Sequence, residues 1–137
     1  MSGRADEEPR EIYASEFYVL SSDYARGAAL LQRSATPFVS LAVLRAENAR
    51  VIAALPRCFL SGVVVDMRQA PANNNDDFET AMQGLRTAVG KSFVRVVVLV
   101  SSAVGELQMN RLHSRESAGY FVTRTLAEAW KLAGPPT

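Results

Sequence analysis

The sequence FVRVVVLV at Phe93–Val100, followed at once by SSAVG at Ser101–Gly105, decides the fold of this chain. The first eight residues form a short apolar run that is rich in β-branched side chains and carries one charge, on Arg95. A run of this length and composition is typical of a strand buried on both faces of a parallel sheet. The two serines supply hydroxyls that can cap the first turn of a helix. The stretch therefore predicts a buried strand followed by a helix.

The same order of strand and helix occurs earlier in the chain. Phe59–Met67 ends in GVVVDM and predicts a strand, and the acidic pair Asp76 and Asp77 predicts a helix start after a polar loop. Asp76 and Glu79 have capping-box spacing, and Gly90 is the expected stop. The apolar residues of this helix fall on one face, at Phe78, Met82, Leu85 and Val89. Two strand–helix units in tandem predict a layered α/β domain.

The N-terminal part of the chain predicts an antiparallel hairpin and then a helix. Strand formers occupy Glu11–Leu20, Asp23–Gly27 turns the chain, and Ala28–Gln32 returns as a second strand. Thr36 followed by Pro37 is typical of a helix start, and we expect this helix to run to about residue 55. Its expected buried stripe is Leu41, Leu44, Val51 and Leu55, and its expected water-facing residues are Arg45, Glu47 and Arg50.

The C-terminal third predicts a helix over residues 103–116, a strand over residues 120–122, and a last helix that Thr125 opens and Gly134 ends. Strands separated by single helices should be parallel, with right-handed crossovers. We therefore expect residues 11–134 to form a single α/β domain. Its sheet should be mixed and mainly parallel, with packed helices and an N-terminal antiparallel edge hairpin. Residues 1–10 are expected to be a disordered tail.

Composition excludes several classes of protein. The chain has 137 residues, enough for one domain with its own core, and its formal net charge of +1 gives no general attraction to nucleic acid or to an anionic membrane. The single cysteine, Cys58, excludes an internal disulfide framework and a cysteine-based zinc site, and we expect it to be an inert, partly buried thiol. The N-terminus has no apolar signal region, and the apolar tracts are shorter than the roughly 18 residues that a membrane-spanning helix needs. These features predict a cytoplasmic protein.

Three short motifs point to a known family: VDMRQAP at Val65–Pro71, NDDFE at Asn75–Glu79, and the run from Arg95 to Arg111. With the order of elements over roughly residues 11–133, they resemble the STAS domain of anti-sigma-factor antagonists, and more closely an uncharacterised bacterial STAS-like branch. The resemblance implies a domain that binds a partner protein, often under control of phosphorylation. In the classical members, a Ser or Thr at the start of the helix after this strand takes the phosphate. Here residues 74–77 read NNDD, so that hydroxyl is missing.

The loop Arg68–Asp77 is the best candidate for a binding surface. Long polar loops at the carboxyl end of a strand commonly carry binding residues, although a merely flexible connection is the alternative. The expected partner-binding residues are Asp66, Arg68, Asn74, Asn75, Asp76 and Asp77. We expect a non-enzymatic regulatory or scaffold domain, without a cofactor, that binds a protein of unknown identity. Association into a homodimer is left open.

A second class of function is a small-ligand or anion-binding module at the carboxyl ends of the strands. Ser101, Ser102 and the amides near Gly105 are expected at a helix N-terminus, where anions bind, and Arg111 follows on the same helix. Capping of the helix explains the serines equally well.

The sequence contains no convergent set of catalytic residues. Asp66 at a strand end is a candidate phosphate acceptor, and a structural carboxylate paired with Arg68 is the alternative. His113 is the single histidine, and no Gly-x-Ser-x-Gly elbow is present. With Glu106 and Asn110 it offers at most a thin acid–base or metal site, and a solvent-facing side chain is the alternative. We therefore expect no enzymatic activity.

Overall fold

The computed structural model describes residues 8–72, 75–113 and 119–135, with the backbone alone for residues 110–113. Within these ranges the chain forms six strands, four α-helices and one 3₁₀ turn. In chain order the elements are β1 (Arg10–Ala14), β2 (Tyr18–Asp23), β3 (Ala28–Arg33), α1 (Leu41–Ala54), the 3₁₀ turn (Leu55–Cys58), β4 (Gly62–Asp66), α2 (Asp76–Ser92), β5 (Arg95–Leu99), α3 (Ala103–His113), β6 (Tyr120–Thr123) and α4 (Leu126–Ala133).

The six strands form one mixed sheet in the order β1-β2-β3-β4-β5-β6. β1, β2 and β3 pair antiparallel, whereas β3, β4, β5 and β6 pair parallel. The expected α/β class, with a mainly parallel sheet and an antiparallel start, is confirmed. The antiparallel part has three strands instead of two because Ser15 makes a tight turn. Its hydroxyl accepts hydrogen bonds from the amides of Phe17 and Tyr18, at 3.0 and 3.2 Å.

Helices cover both faces of the sheet. On one face, Val51 of α1 and Leu85 of α2 share a core with Val63 of β4. On the other face, Ala129 of α4 packs with Val64 of β4. Because the parallel strands follow one another in chain order, right-handed crossovers place α1, α2 and α3 on the same face, opposite to α4.

The fifth strand is buried on both faces, as its sequence predicts. Val96 contributes to the core beneath α1 and α2, and Val97 and Leu99 contribute to the core beneath α4. Burial on both faces explains why this strand carries an uninterrupted apolar run after Arg95. Arg95 itself lies at the edge of the core, where its Nε donates to the carbonyl of Ala133 at 3.0 Å.

The first helix begins later than its sequence suggests. Its cap is Ser40, whose hydroxyl accepts a hydrogen bond from the amide of Val43 at 3.2 Å, so the start predicted at Thr36 and Pro37 is wrong. A helix starting at Thr36 would carry Phe38 in its first turn. Phe38 instead stacks on Phe17, with the ring centroids 4.4 Å apart.

The second helix is capped by Asn75, whose Oδ1 accepts from the amides of Asp77 and Phe78 at 2.8 and 3.2 Å. The predicted cap at Asp76 is therefore wrong by one residue, and Glu79 lies one position beyond a capping box. The helix also continues past Gly90 to Ser92. At the last helix, both predicted ends are confirmed, since Thr125 caps the start and Gly134 the end.

Two other expectations about the first half need correction. The strand predicted from Phe59 starts at Gly62, and Cys58 ends the 3₁₀ turn that precedes it. Cys58 is fully buried, and burial raises the pKa of its thiol. Glu47 of α1, expected to face water, is 1% exposed.

Candidate functional site

A cavity of about 300 Å³ lies between the sheet and the helices on the face that carries α1, α2 and α3. Its floor is formed by residues of the parallel strands, with Val65 from β4 and Val98 from β5. Its roof is the apolar face of α2, and Met109 of α3 closes one side. The stripe predicted on α2 forms this roof, and it consists of Phe78, Met82, Leu85 and Val89.

The position of α2 explains why the space is open. This helix packs mainly against α1 and makes few contacts with the sheet. The side-chain amide of Asn48 on α1 donates to the backbone carbonyl of Ala81 at 3.1 Å, which ties the two helices together. Only Leu85 and Val89 of the roof are fully buried, whereas Phe78 and Met82 are half-buried. The helix therefore rests on its neighbour and leaves a gap above the strands.

The cavity is not sealed from solvent. Several of its lining residues are exposed, namely Pro37, Ala72, Glu79 and Gln108. The wall between β4 and α2 is built by the loop after β4, through Met67, Ala70 and Pro71. The loop that the sequence marks as a binding segment is thus partly a wall of this cavity.

One end of the cavity is polar, and Arg33 is its most unusual residue. Arg33 is 6% exposed, at the end of β3. Its guanidinium carbon lies 4.4 Å from the centroid of the Phe38 ring, and Nη1 donates to the carbonyl of Ser34 at 2.8 Å. It forms no ion pair with a carboxylate of the described residues. Burial lowers the pKa of Arg33, but an arginine still carries its charge under ordinary conditions.

Tyr18 and Arg86 line the same cavity. Tyr18 is 1% exposed, and its hydroxyl has no hydrogen-bond partner among the described residues. Burial raises the pKa of Tyr18 to about 12, although the charges of Arg33 and Arg86 act in the opposite direction. Arg86 donates from Nη2 to Gln83 at 2.8 Å and to Glu79, whereas its Nε is buried without a partner. Three unsatisfied or uncompensated polar groups therefore line one largely apolar space.

The cluster of Tyr18, Arg33 and Arg86 was missed by the sequence analysis. One signal for it exists in β3, where Arg33 continues the alternation of the buried residues Ala29 and Leu31. An arginine at the inward position of a strand is unusual, because charged side chains are seldom buried without a partner.

Asp66 lies on the opposite side of the sheet from the cavity. Its neighbour Val65 faces the cavity, and successive residues of a strand point to opposite faces. The expected pairing with Arg68 is present, because Nε and Nη2 of Arg68 donate to the two carboxylate oxygens at 3.0 and 2.9 Å. Burial alone would raise the pKa of Asp66, but the hydrogen bonds from Arg68 and Gln32 hold it below its ordinary value. This is the arrangement of a structural ion pair.

The remaining residues of the predicted partner surface are not brought into one cluster. Arg68, Asp76 and Asp77 are exposed, and Asn75 is occupied in capping α2. Asn74 lies outside the described residues. The exposed members flank the cavity on the loop and at the start of α2, but they do not line it.

The predicted anion site is occupied by helix capping. Ser101 and Ser102 are exposed, and the hydroxyl of Ser102 accepts from the amide of Gly105 at 3.0 Å. That amide is therefore used within the turn. Glu106 follows in the first helical turn and places a carboxylate beside the helix start. This carboxylate pairs with Arg124 at 3.5 Å. The side chains of Arg111 and His113 lie outside the described residues.

Among the described residues, no group of three or more His, Cys, Asp or Glu side chains is arranged to hold a metal ion. No described helix is long and apolar enough to cross a membrane. Comparisons with protein-family models, with curated proteins and with solved structures gave no match. The geometry of the cavity is therefore the main guide to function.

Proposed function

We propose that this chain is a non-enzymatic binding domain that takes a small, mainly apolar molecule into the cavity beneath α2. The observation that supports this function is the cavity itself, with apolar walls from the parallel strands and from α1, α2 and α3 and exposed residues at its rim. Protein interiors are normally close-packed, so a space of this size beside a core is uncommon without a ligand. Its volume is at the lower end of the range for small-molecule sites.

The size of the cavity limits the ligand. A water-sized or methylene-sized group fills about 30 Å³ in a liquid, so a space of about 300 Å³ holds about ten non-hydrogen atoms. Glu79 is the one carboxylate among the described lining residues, and it is paired with Arg86. Because this carboxylate is held in an ion pair, we favour a binding role for the cavity over acid–base catalysis.

A series of straight-chain alcohols from hexanol to dodecanol tests the proposal by calorimetry and thermal shift. Each methylene that enters the cavity should strengthen binding about fourfold, because burial of one methylene is worth about 0.8 kcal/mol. The gain should stop when about ten non-hydrogen atoms have entered. A ligand that binds the native state alone must also raise the melting temperature as its concentration grows. Failure of every chain length to bind would overturn the proposal.

A pair of variants on α2 locates the binding. Met82→Trp places a larger side chain in the roof and should abolish binding of decanol. Thr87→Trp adds the same side chain at an exposed position of the same helix and should leave the affinity unchanged. Equal affinities for decanol in the two variants would show that the alcohol binds elsewhere.

A second candidate function is binding of a protein partner, as the resemblance to STAS domains implies. The observation that favours it is the exposure of Arg68, Asp76 and Asp77, which are chain neighbours of the lining residues Met67 and Phe78. Affinity capture compares the wild type with the variant Asp76→Ala/Asp77→Ala. Glu128→Ala, which removes an exposed acidic residue from the first turn of α4, is the matched control. A partner lost in the double variant and kept in the control supports this function, and a partner retained in both contradicts it.

A further inference from the structure

The polar end of the cavity identifies the chemistry of the ligand. We propose that the cavity binds a monocarboxylate of about ten non-hydrogen atoms, with the carboxylate held by Arg33, Tyr18 and Arg86 and its apolar body beneath α2. This inference rests on the proposed function and adds the charge and orientation of the ligand to it.

The charge of Arg33 is the first reason. A buried cation without an anion is costly, and contact with an aromatic ring offsets that cost in part. The rings of Phe17, Tyr18 and Phe38 surround the guanidinium, with centroid distances of 5.8, 5.6 and 4.4 Å. The carboxylate of Glu47 acts on Arg33 electrostatically but is occupied by Tyr13 and Ser15. An anion in the cavity would supply the missing counter-charge.

The hydroxyl of Tyr18 is the second reason. A buried hydroxyl without a partner loses its hydrogen bonds to water and gains none from the protein. Its high pKa keeps the phenol protonated under ordinary conditions, so it is available as a donor. Tyr18 lines the cavity, and both guanidinium charges act on it. The donor and the cations therefore lie at the same end.

Arg86 lines the same cavity, and its Nε is buried without a partner among the described residues, so we count it as a third donor. The charge of Arg86 is already balanced by Glu79, so Arg33 is the one cation of this cluster without an ion-pair contact among the described residues. A ligand with one negative charge would neutralise the positive charge of Arg33. A carboxylate is acceptor-only and has two oxygens with about four lone-pair sites, which suits three donors. A doubly charged phosphate would exceed both the charge and the number of donors available.

Decanoate and decanol test the inference because they share their alkyl chain and differ in charge. Calorimetry should show that decanoate binds at least about tenfold more tightly than decanol, because hydrogen bonds to a charged group are stronger than those to a neutral one. Equal affinities would overturn the carboxylate assignment while leaving the proposed function intact. Failure of both compounds to bind would overturn the proposed function together with this inference.

Tyr18→Phe is the decisive variant. It removes a hydroxyl that has no partner, so the free protein should keep its stability. Its affinity for decanoate should fall about tenfold. Tyr24→Phe, which removes the hydroxyl that donates to the carbonyl of Cys58 at 3.3 Å, should leave ligand affinity unchanged. Equal decanoate affinities in the wild type and Tyr18→Phe would overturn the placement of the carboxylate.

A second pair of variants tests the charge. Arg33→Gln should remove the preference for decanoate over decanol, so that the two bind within about twofold of each other. Arg45→Gln, at an exposed position of α1, should keep the preference of the wild type. Retention of the full preference in Arg33→Gln would overturn the role of Arg33.

Discussion

The phenolic oxygen of Tyr13 lies 3.0 and 2.9 Å from the two carboxylate oxygens of Glu47, and it donates its hydrogen bond to this carboxylate. The hydroxyl of Ser15 donates to the same carboxylate at 2.6 Å. Arg50 lies 3.8 Å from it on the solvent side. Glu47 is therefore a buried acceptor that joins α1 to the start of the sheet.

Replacement of Glu47 should destabilise the protein. Glu47→Ala leaves the hydroxyls of Tyr13 and Ser15 without their acceptor and creates a gap beneath α1, which we expect to lower the free energy of unfolding by about 2–3 kcal/mol. Urea unfolding measures the change. Arg45→Ala, an exposed replacement on the same helix, should change it by less than about 0.5 kcal/mol. Equal losses in both variants would contradict this role for Glu47.

Glu47 also shows why part of the structure could not be predicted from the sequence. Hydrophobic periodicity assigns a glutamate to the solvent face of a helix, and it cannot show that Tyr13 and Ser15, more than 30 residues earlier, face it with donors. The strands were more predictable. The run that contains Arg95–Leu99 is buried on both faces, and a local sequence pattern is enough to predict that.

The candidate site, too, was predictable from the sequence only in part. The apolar stripe from Phe78 to Val89 indicates which face of α2 is inward, but periodicity cannot show that the helix stands off the sheet. The spacing between α2 and the sheet depends on tertiary contacts such as the hydrogen bond from Asn48 to Ala81. Two of the residues that sequence reasoning favoured have hydrogen-bond partners close by in the chain instead. The carboxylate of Asp66 accepts from Arg68, and the hydroxyl of Ser102 caps its own helix.

Two glycines provide a test of the packing between β4 and α4. A Cβ at Gly62 would lie 1.9 Å from the carbonyl oxygen of Ala133, so Gly62→Ala requires a backbone shift. We expect a loss of about 3 kcal/mol in the free energy of unfolding. A Cβ at Gly84, on the exposed side of α2, has no atom within 4 Å. Gly84→Ala should stabilise the protein by about 0.5–1 kcal/mol, because alanine favours the helix. If both substitutions changed the free energy of unfolding in the same direction, the close packing of β4 against α4 would be contradicted.

The ion pair between Asp66 and Arg68 should contribute stability that depends on pH. The pKa of Asp66 is lower in the folded state than its ordinary value of 3.8, so the contribution is present above that value and is lost as the pH falls through the folded pKa. Arg68→Met should cost about 1 kcal/mol at about pH 7, since the arginine is 39% exposed, and almost nothing at about pH 2.

The pair of Glu106 and Arg124 is a matched control for this ion pair. Its atoms are 3.5 Å apart and both side chains are more exposed than Asp66, so Arg124→Met should change stability by less than about 0.5 kcal/mol. A loss in Arg68→Met that is independent of pH would show that packing of the arginine, and not its charge, is responsible.

Tyr18 should make the protein sensitive to alkali. Its pKa is raised from 10.0 to about 12 by burial, so its neutral form contributes stability that is complete below the unfolded pKa and is lost as the pH rises through the folded one. The difference in unfolding free energy between the wild type and Tyr18→Phe should be constant between about pH 7 and 9. Between about pH 10 and 12, the wild type should lose about 2–3 kcal/mol relative to the variant. A difference that stays constant up to about pH 12 would show that the phenol of Tyr18 ionises as readily in the folded chain as in the unfolded one.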